Sequence, residues 1–125
     1  MLEQQYRIPN NLNECMEVLD EIFNATPKED RDWFKNSPED EATGGIHHTL
    51  GRWIRNNWGL WNKDTELYKV FKNMEIWHAD DMSDIILTSY YRKINGKDIN
   101  LKEQVAHFIE YWKEYEKTNG PIEKE

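Results

Sequence analysis

Apolar positions recur with a helical period along most of the chain. The clearest case is the segment 101–117, which repeats apolar residues every three or four positions at Leu101, Val105, Phe108, Ile109, Trp112 and Tyr115. Similar periods predict helices over 12–23, 65–73 and 81–94, and Thr26-Pro27 and Ser37-Pro38 predict two short helical turns. No segment alternates with the period of two that is typical of a strand. The pattern therefore predicts an all-α domain of five to six helices with orthogonal or bundle-like packing.

A further helix, predicted over 45–58, is expected at the centre of the fold with those over 81–94 and 101–117. One side of it carries apolar residues, and the opposite side is predicted to carry His48, Arg52 and Arg55. Gly44 and Gly45 are expected to break the chain before this helix. Gly59 is expected to end it, since glycine adopts the left-handed C-cap conformation without steric cost. The interior Gly51 indicates that another element packs closely there.

Composition limits what the domain can do. The 125 residues predict one domain, with 1–10 as an extended arm and 119–125 as a charged tail. A net charge of −8 and a pI of about 5.0 argue against nucleic acid or a membrane surface as partner, and they are compatible with a basic protein partner. The single cysteine, Cys15, lies in an apolar stripe and is predicted to be a core residue. The sequence has no signal segment and no apolar run of membrane length, which predicts a cytoplasmic protein.

The basic stripe on the central helix is the first candidate site. His48, Arg52, Arg55 and the neighbouring Asn56 would suit a nucleotide or another phosphate-bearing anion, because guanidinium groups bind phosphates and carboxylates in a bidentate manner. The alternative is that Arg52 and Arg55 pair with carboxylates of the same fold. The candidates for such pairing are Asp80, Asp81 and Asp84.

A second candidate is the segment from His78 to Ser83, in which Asp80 and Ser83 have the chemistry of a helix N-cap. The functional alternative is a metal-dependent phosphohydrolase built from His47, His48, His78 and Asp81. The adjacent His-Asp pair and the His-Glu-x-x-His pattern of such enzymes do not occur. We therefore predict no catalytic residue, no bound metal and no cofactor. His107 is predicted to lie at the edge of the core.

The six tryptophans include two groups of interest. Trp53 and Trp112 lie within apolar stripes and are predicted to be core residues. Trp33, Trp61 and Trp77 lie at helix ends or in linkers, where partial exposure would suit an interface, because tryptophan is a frequent anchor at binding surfaces.

Two segments resemble a bacterial family described as a domain of unknown function. Its members carry a pattern close to His-x-x-Leu-Gly-x-Trp-Ile-Arg-Asn-x-Trp-Gly-Leu-Trp, which matches His47 or His48 through Trp61. They also carry His-Pro-Asp-Asp-x-Ser-x-x-Ile-Leu, which matches His78 through Leu87 except that Ala79 replaces proline. The resemblance covers about residues 10–115 and implies a small helical domain of bacterial or phage origin. It implies no activity.

Two hypotheses about function follow. The favoured one is a non-enzymatic, acidic binding protein, such as an inhibitor, an immunity protein or a phage counter-defence factor, acting on a protein partner. The alternative is a small-ligand module, either a binder of a nucleotide or other phosphate-bearing anion or a hydrolase. It would use His48, Arg52, Arg55, Asn56, His78 and Asp81.

Overall fold

The computed structural model describes residues 5–122 and confirms the all-α prediction. Its α-helices are α1 Leu12–Asn24, α2 Lys28–Asn36, α3 Glu39–Ile46, α4 Arg52–Asn57, α5 Glu66–Asn73, α6 Ala79–Ile94 and α7 Leu101–Asn119. A π-helical turn, His47–Gly51, joins α3 to α4 without a break. Helix α3, the π turn and α4 form one continuous helix. The described chain therefore consists of six helices and contains no strand. They pack into one compact domain.

Helix α6 is the centre of the domain. It contacts α1, α2, α3, the π turn, α4 and α7. Its buried residues lie on several sides of the helix: Ala79, Met82, Ser83, Ile85, Ile86, Leu87, Ser89, Tyr90 and Tyr91. The prediction that α7 is also central was wrong, because α7 packs chiefly on α6 and Gln104 is its one buried residue. The apolar stripe of α7 is half-buried, which leaves its outer surface available.

The central helix differs from its prediction in both its start and its phase. It begins at Glu39, and Gly44 and Gly45 lie inside α3 and do not break the chain. Gly45 is required there because a Cβ at this position would come within 2.5 Å of the Trp33 ring. The π turn then inserts one extra residue, which rotates every later side chain by about 100° relative to an uninterrupted α-helix. Arg55, predicted to face outward, is consequently buried.

The other two glycines of this region behave as predicted. Gly51 is buried, and a Cβ there would lie 3.1 Å from Arg55 Nη1 and 3.6 Å from Leu87 Cδ1, so α6 does approach closely. Gly59 has a φ of +73° and follows the end of α4, where the Leu60 N–H donates to the Arg55 carbonyl. This is a left-handed C-cap.

The helix caps differ in part from those that the sequence predicts. Thr65 accepts the capping hydrogen bond of α5 from the Tyr68 N–H. His78, and not Asp80, caps α6, so this helix starts at Ala79. Thr26 makes no side-chain cap for α2, and Asn100 occupies the N-cap position of α7 without a side-chain hydrogen bond. The Thr26 hydroxyl donates to the Ile22 carbonyl, and Asn100 adopts a left-handed backbone with a φ of +50°. Sequence order alone does not decide which of several adjacent polar residues takes the cap position.

The predicted N-terminal arm is extended over its described part, 5–10, and lies against the domain. Pro9 is buried, the Tyr6 ring packs edge-on against Trp53, and Arg7 pairs with Glu17 and Glu21. Residues 1–4 of the arm and 123–125 of the predicted tail lie outside the described residues.

The single cysteine lies where the sequence placed it. Cys15 is fully buried, and burial raises the pKa of its thiol, which confirms its place in the core. Between residues 5 and 122 no helix is both long and apolar enough to cross a membrane.

Candidate functional site

The principal cleft of the described structure runs between α6 and α7 and is closed at one side by α3 and the π turn. It consists of two adjoining pockets of about 680 and about 400 Å³. Both pockets are lined by His47, Asp84, His107 and Phe108, which makes them parts of one depression. We call this depression the α6–α7 cleft.

All four histidines of the chain line the α6–α7 cleft. The π turn supplies His47 and His48, the N-cap of α6 supplies His78, and the exposed face of α7 supplies His107. The expectation that His107 lies at the core edge was wrong, because its side chain is exposed and faces the cleft. The fold thus gathers residues that are up to 60 positions apart in sequence.

Carboxylates outnumber cations in the cleft. Its lining contains Asp40 of α3, Asp80, Asp81 and Asp84 of α6, and Glu103 of α7. Arg92 also belongs to the lining, and it forms a bidentate pair with Glu39 at 2.7 and 3.0 Å. This pairing raises the pKa of Arg92 and lowers that of Glu39. The remaining charge of the cleft is therefore negative.

His47 and Asp84 form the closest acid–base contact of the cleft. His47 Nδ1 lies 2.8 Å from Asp84 Oδ1, and the side chain of His47 is 21 % exposed. The His48 ring meets the His47 ring edge to face, with 4.8 Å between centroids. The hydrogen bond at Nδ1 fixes the orientation of the imidazole ring.

Asp81 and Trp112 join the two long walls of the cleft. The Trp112 indole N–H donates to Asp81 Oδ2 at 2.8 Å. Burial raises the pKa of Asp81, whereas the hydrogen bond from Trp112 and the proximity of His78 lower it. The neighbouring Asp84 and Asp80 carboxylates raise it further. On balance the pKa of Asp81 is raised, so folding destabilises its ionised form.

An aromatic wall continues from this contact. The His78 ring stacks on Trp112 with 5.7 Å between centroids and 14° between planes. Trp77 and Tyr111 pack against Trp112 at 4.9 and 5.0 Å, and Tyr115 extends the row. Trp112 is half-buried and lines the cleft, so the prediction of a core tryptophan was only partly right.

Arg52 and Arg55 do not lie on one accessible surface, so the predicted basic stripe is not formed. Arg55 is 5 % exposed, and its guanidinium donates to the Ser83 hydroxyl at 2.8 Å and to the His47 carbonyl at 3.2 Å. Its Nε also lies 3.3 Å from Asp80 Oδ1, which is the internal pairing that the sequence left open. Arg55 thereby ties α4 to the π turn and to the start of α6.

The remaining predicted ligand residues divide into two groups. His48, His78 and Asp81 line the cleft. Arg52 and Asn56 are exposed but do not line it, and the Asn56 side chain accepts a hydrogen bond from the Trp61 indole at 3.0 Å.

The cleft residues that the sequence did not place in one site include Asp84, His107 and Trp112. Each occupies a helix face on which its neighbours give no sign of a shared depression. Only the packing of α7 on α6 brings them together.

The histidines and carboxylates of the cleft do not form a metal site. Within residues 5–122, no three histidine, cysteine, aspartate or glutamate side chains are arranged so that they could hold one metal ion.

The three tryptophans predicted for an interface differ in exposure. Trp33 is 47 % exposed and Trp61 is 61 % exposed, whereas Trp77 is half-buried behind Trp112. Trp33 forms one wall of a separate apolar pocket of about 350 Å³ between α1, α2 and the π turn. The hydroxyls of Thr26 and Thr49 in that pocket donate to backbone carbonyls.

The domain of unknown function DUF6794 matches residues 8–94, and the chain belongs to this family. The match ends with α6, so it falls short of the 115 expected from the resemblance, and α7 lies beyond it. Comparisons with curated proteins and with solved structures found no match.

Proposed function

We propose that this protein is a non-enzymatic binding protein whose α6–α7 cleft takes up a cationic group, namely a lysine or arginine side chain on a basic segment of a protein partner. The observation that carries the proposal is the lining of the cleft. Five carboxylates and a row of aromatic rings share one depression, whose arginine, Arg92, is paired with Glu39.

The electrostatics of α6 favour a cation at this place. Asp80, Asp81 and Asp84 occupy its first turns, and like charges at such spacing repel each other. Within the fold the Arg55 guanidinium relieves part of this repulsion at Asp80, and His47 is a hydrogen-bond partner of Asp84. A cation from a partner would relieve the rest, and it would also stabilise the charge of Asp81, whose pKa is raised by burial first and by Asp84 and Asp80 in addition.

The aromatic wall adds to the same preference. A guanidinium or ammonium group is attracted to the face of an aromatic ring, most strongly to tryptophan. Trp112 and Tyr111 line the cleft on the side of α7 opposite the α6 carboxylates. An entering cation would therefore contact carboxylate oxygens and the neighbouring aromatic rings, of which Tyr111 is exposed whereas Trp112 is stacked with His78.

Binding of a phosphate-bearing anion has less support. That alternative needed Arg52 and Arg55 on one accessible surface, yet Arg55 is buried and bonded to Ser83, Asp80 and the His47 carbonyl. Arg52 is exposed outside the cleft. An anion entering the cleft would meet the carboxylates first.

The net charge of the whole chain also favours a basic partner. A net charge of −8 accelerates encounters with a basic partner and disfavours acidic ones. An inhibitor, an immunity protein or a counter-defence factor would each be a special case of such binding. The exposed Trp61 and the aromatic row ending at Tyr115 offer apolar contacts around the cleft.

The test measures fluorescence anisotropy of a labelled octa-arginine peptide titrated with the protein at pH 7.5. The wild type should bind it, and an octaglutamate peptide should not bind. The double variant Asp81→Asn/Asp84→Asn should weaken binding at least about tenfold, because two charges of the cleft are removed.

The matched control is Glu29→Gln/Asp64→Asn, which removes the same number of charges at exposed positions outside the cleft. It should change the affinity by less than about threefold, since screened surface charges contribute little. Equal losses in both double variants would mean that net charge alone attracts the peptide, and the proposal would then be abandoned.

A further inference from the structure

We infer that cation binding in the α6–α7 cleft is coupled to proton release from its histidines, so that mild acidification weakens binding. This inference rests on the proposed function of the cleft. The observation that supports it is the position of the histidines. All four histidines of the chain come from three separate segments and line the same depression as the carboxylates. Histidine is the side chain whose charge ordinarily changes between pH 5 and 8.

The charged groups around the histidines come from every wall of the cleft. Helix α3 contributes Asp40, α6 contributes Asp80, Asp81, Asp84 and Arg92, and α7 contributes Glu103. Arg55 of α4 forms an ion pair with Asp80, and Glu39 of α3 forms one with Arg92. Around neutral pH the carboxylates prevail, and each protonated imidazole would cancel one of them.

His47 and His107 are the two histidines whose protonation most directly opposes a cation. Both line each of the two pockets. Protonated His47 would form an ion pair with Asp84, with which it is already in hydrogen-bond contact at 2.8 Å. Asp84 would then no longer be available to a partner, and a positive charge would stand where the partner's own cation has to lie.

His78 responds to acid in a different way. Its Nδ1 accepts a hydrogen bond from the Asp80 N–H at 3.1 Å and so caps α6. A protonated imidazole has no acceptor nitrogen, and a cation at a helix N-terminus is disfavoured by the helix dipole. Protonation of His78 therefore removes a cap at the helix end that carries Asp80 and Asp81, which also weakens the geometry of the cleft.

Isothermal titration calorimetry of wild-type protein with the octa-arginine peptide tests the coupling, because guanidinium groups do not titrate in this range. We expect the affinity to fall by at least about tenfold between about pH 7.5 and about pH 5.8, the range in which histidine loses its neutral form. We also expect the apparent binding enthalpy near the middle of this range to differ between two buffers of unlike ionisation enthalpy, in the direction of proton release. Each measurement uses the full chain.

Two variants identify the side chains that release protons when the peptide binds. In His47→Gln/His107→Gln the ratio of affinities at the two pH values should shrink to less than about half of the wild-type ratio, since the amides cannot be protonated while His48 and His78 still can. In Asp81→Asn the ratio should stay close to that of the wild type. A ratio that collapses only in Asp81→Asn would place the proton on the carboxylate and overturn the inference.

The other outcomes are also decisive. Binding that is equally tight at both pH values, with no proton released, overturns this inference and leaves the proposed function standing. Absence of peptide binding at the higher pH removes the proposed function itself, and the inference with it. Proton uptake on binding would contradict the inference directly.

Discussion

The indole of Trp112 donates a 2.8 Å hydrogen bond to the carboxylate of Asp81, across 31 positions of sequence. This bond joins the middle of α7 to the first turn of α6, where the Asp81 side chain is partly buried beside two other carboxylates. One residue thus fixes the position of the peripheral helix and presents an acid in the cleft. The contact relates the stability of the fold to its proposed binding site.

Asp81→Asn should raise the free energy of unfolding at neutral pH. The folded-state pKa of Asp81 lies above its unfolded value, so the native state binds more protons between the two values. The contribution of Asp81 to stability is therefore fully present below the unfolded pKa and is lost as the pH rises through the folded pKa. The amide retains an oxygen that accepts from Trp112 and carries no charge to desolvate.

Urea unfolding of wild type and Asp81→Asn at about pH 7 and about pH 3 checks this expectation. The variant should be the more stable protein at neutral pH, and the difference should disappear in acid, where the wild-type side chain is itself neutral. Asp64→Asn, at an exposed position, should match the wild type at both pH values. A variant less stable than wild type at neutral pH would show that the charge on Asp81 stabilises the empty fold.

Arg55→Met should destabilise the protein by about 2–4 kcal/mol, because it removes the partner of a buried hydroxyl and of Asp80. Arg52→Met changes the same residue type at an exposed position and should stay within about 0.5 kcal/mol of wild type. Thermal or urea unfolding measures both. Equal effects would mean that the π turn does not rotate Arg55 into the core.

Two glycine substitutions should act in opposite directions. Gly44 lies inside α3, and a Cβ added there would meet no neighbouring element within 4 Å, so Gly44→Ala should stabilise by about 0.5–1 kcal/mol. Gly59→Ala should destabilise by more than about 1 kcal/mol, since φ is +73° and a Cβ would approach Thr65 Cγ2 to 2.4 Å. Melting curves of the two variants should therefore lie on opposite sides of wild type.

The sequence predicted most of the helices because their stability depends on local periodicity. Helix α1 differs by one residue from its expected end, and α7 extends two residues beyond its own. The turn expected after Ser37-Pro38 does begin at Glu39, but its continuation into the central helix was missed because Gly44 and Gly45 resemble a break. Gly45 is tolerated inside the helix since Trp33 packs directly on it. Tertiary packing overrode a low local helix propensity in this case.

The candidate site was predicted less well, for a specific physical reason. A π turn inserts one residue without any clear sequence signal, and that insertion turned Arg55 from its predicted outward position into a buried one. The hydrogen bond from Trp112 to Asp81 and the contact of His47 with Asp84 depend on how whole helices pack. Residues 31 and 37 positions apart give no local indication of such contacts.

The indole region of a proton–nitrogen correlation spectrum tests the central claim most directly, because each of the six tryptophans contributes one indole N–H resonance. During titration with the octa-arginine peptide, the Trp112 resonance should shift most, since its N–H is bonded to a carboxylate of the cleft. Trp77 should follow to a smaller extent, and Trp33, beside the separate apolar pocket, should stay in place. A spectrum in which Trp33 moves and Trp112 does not would contradict a cationic site between α6 and α7.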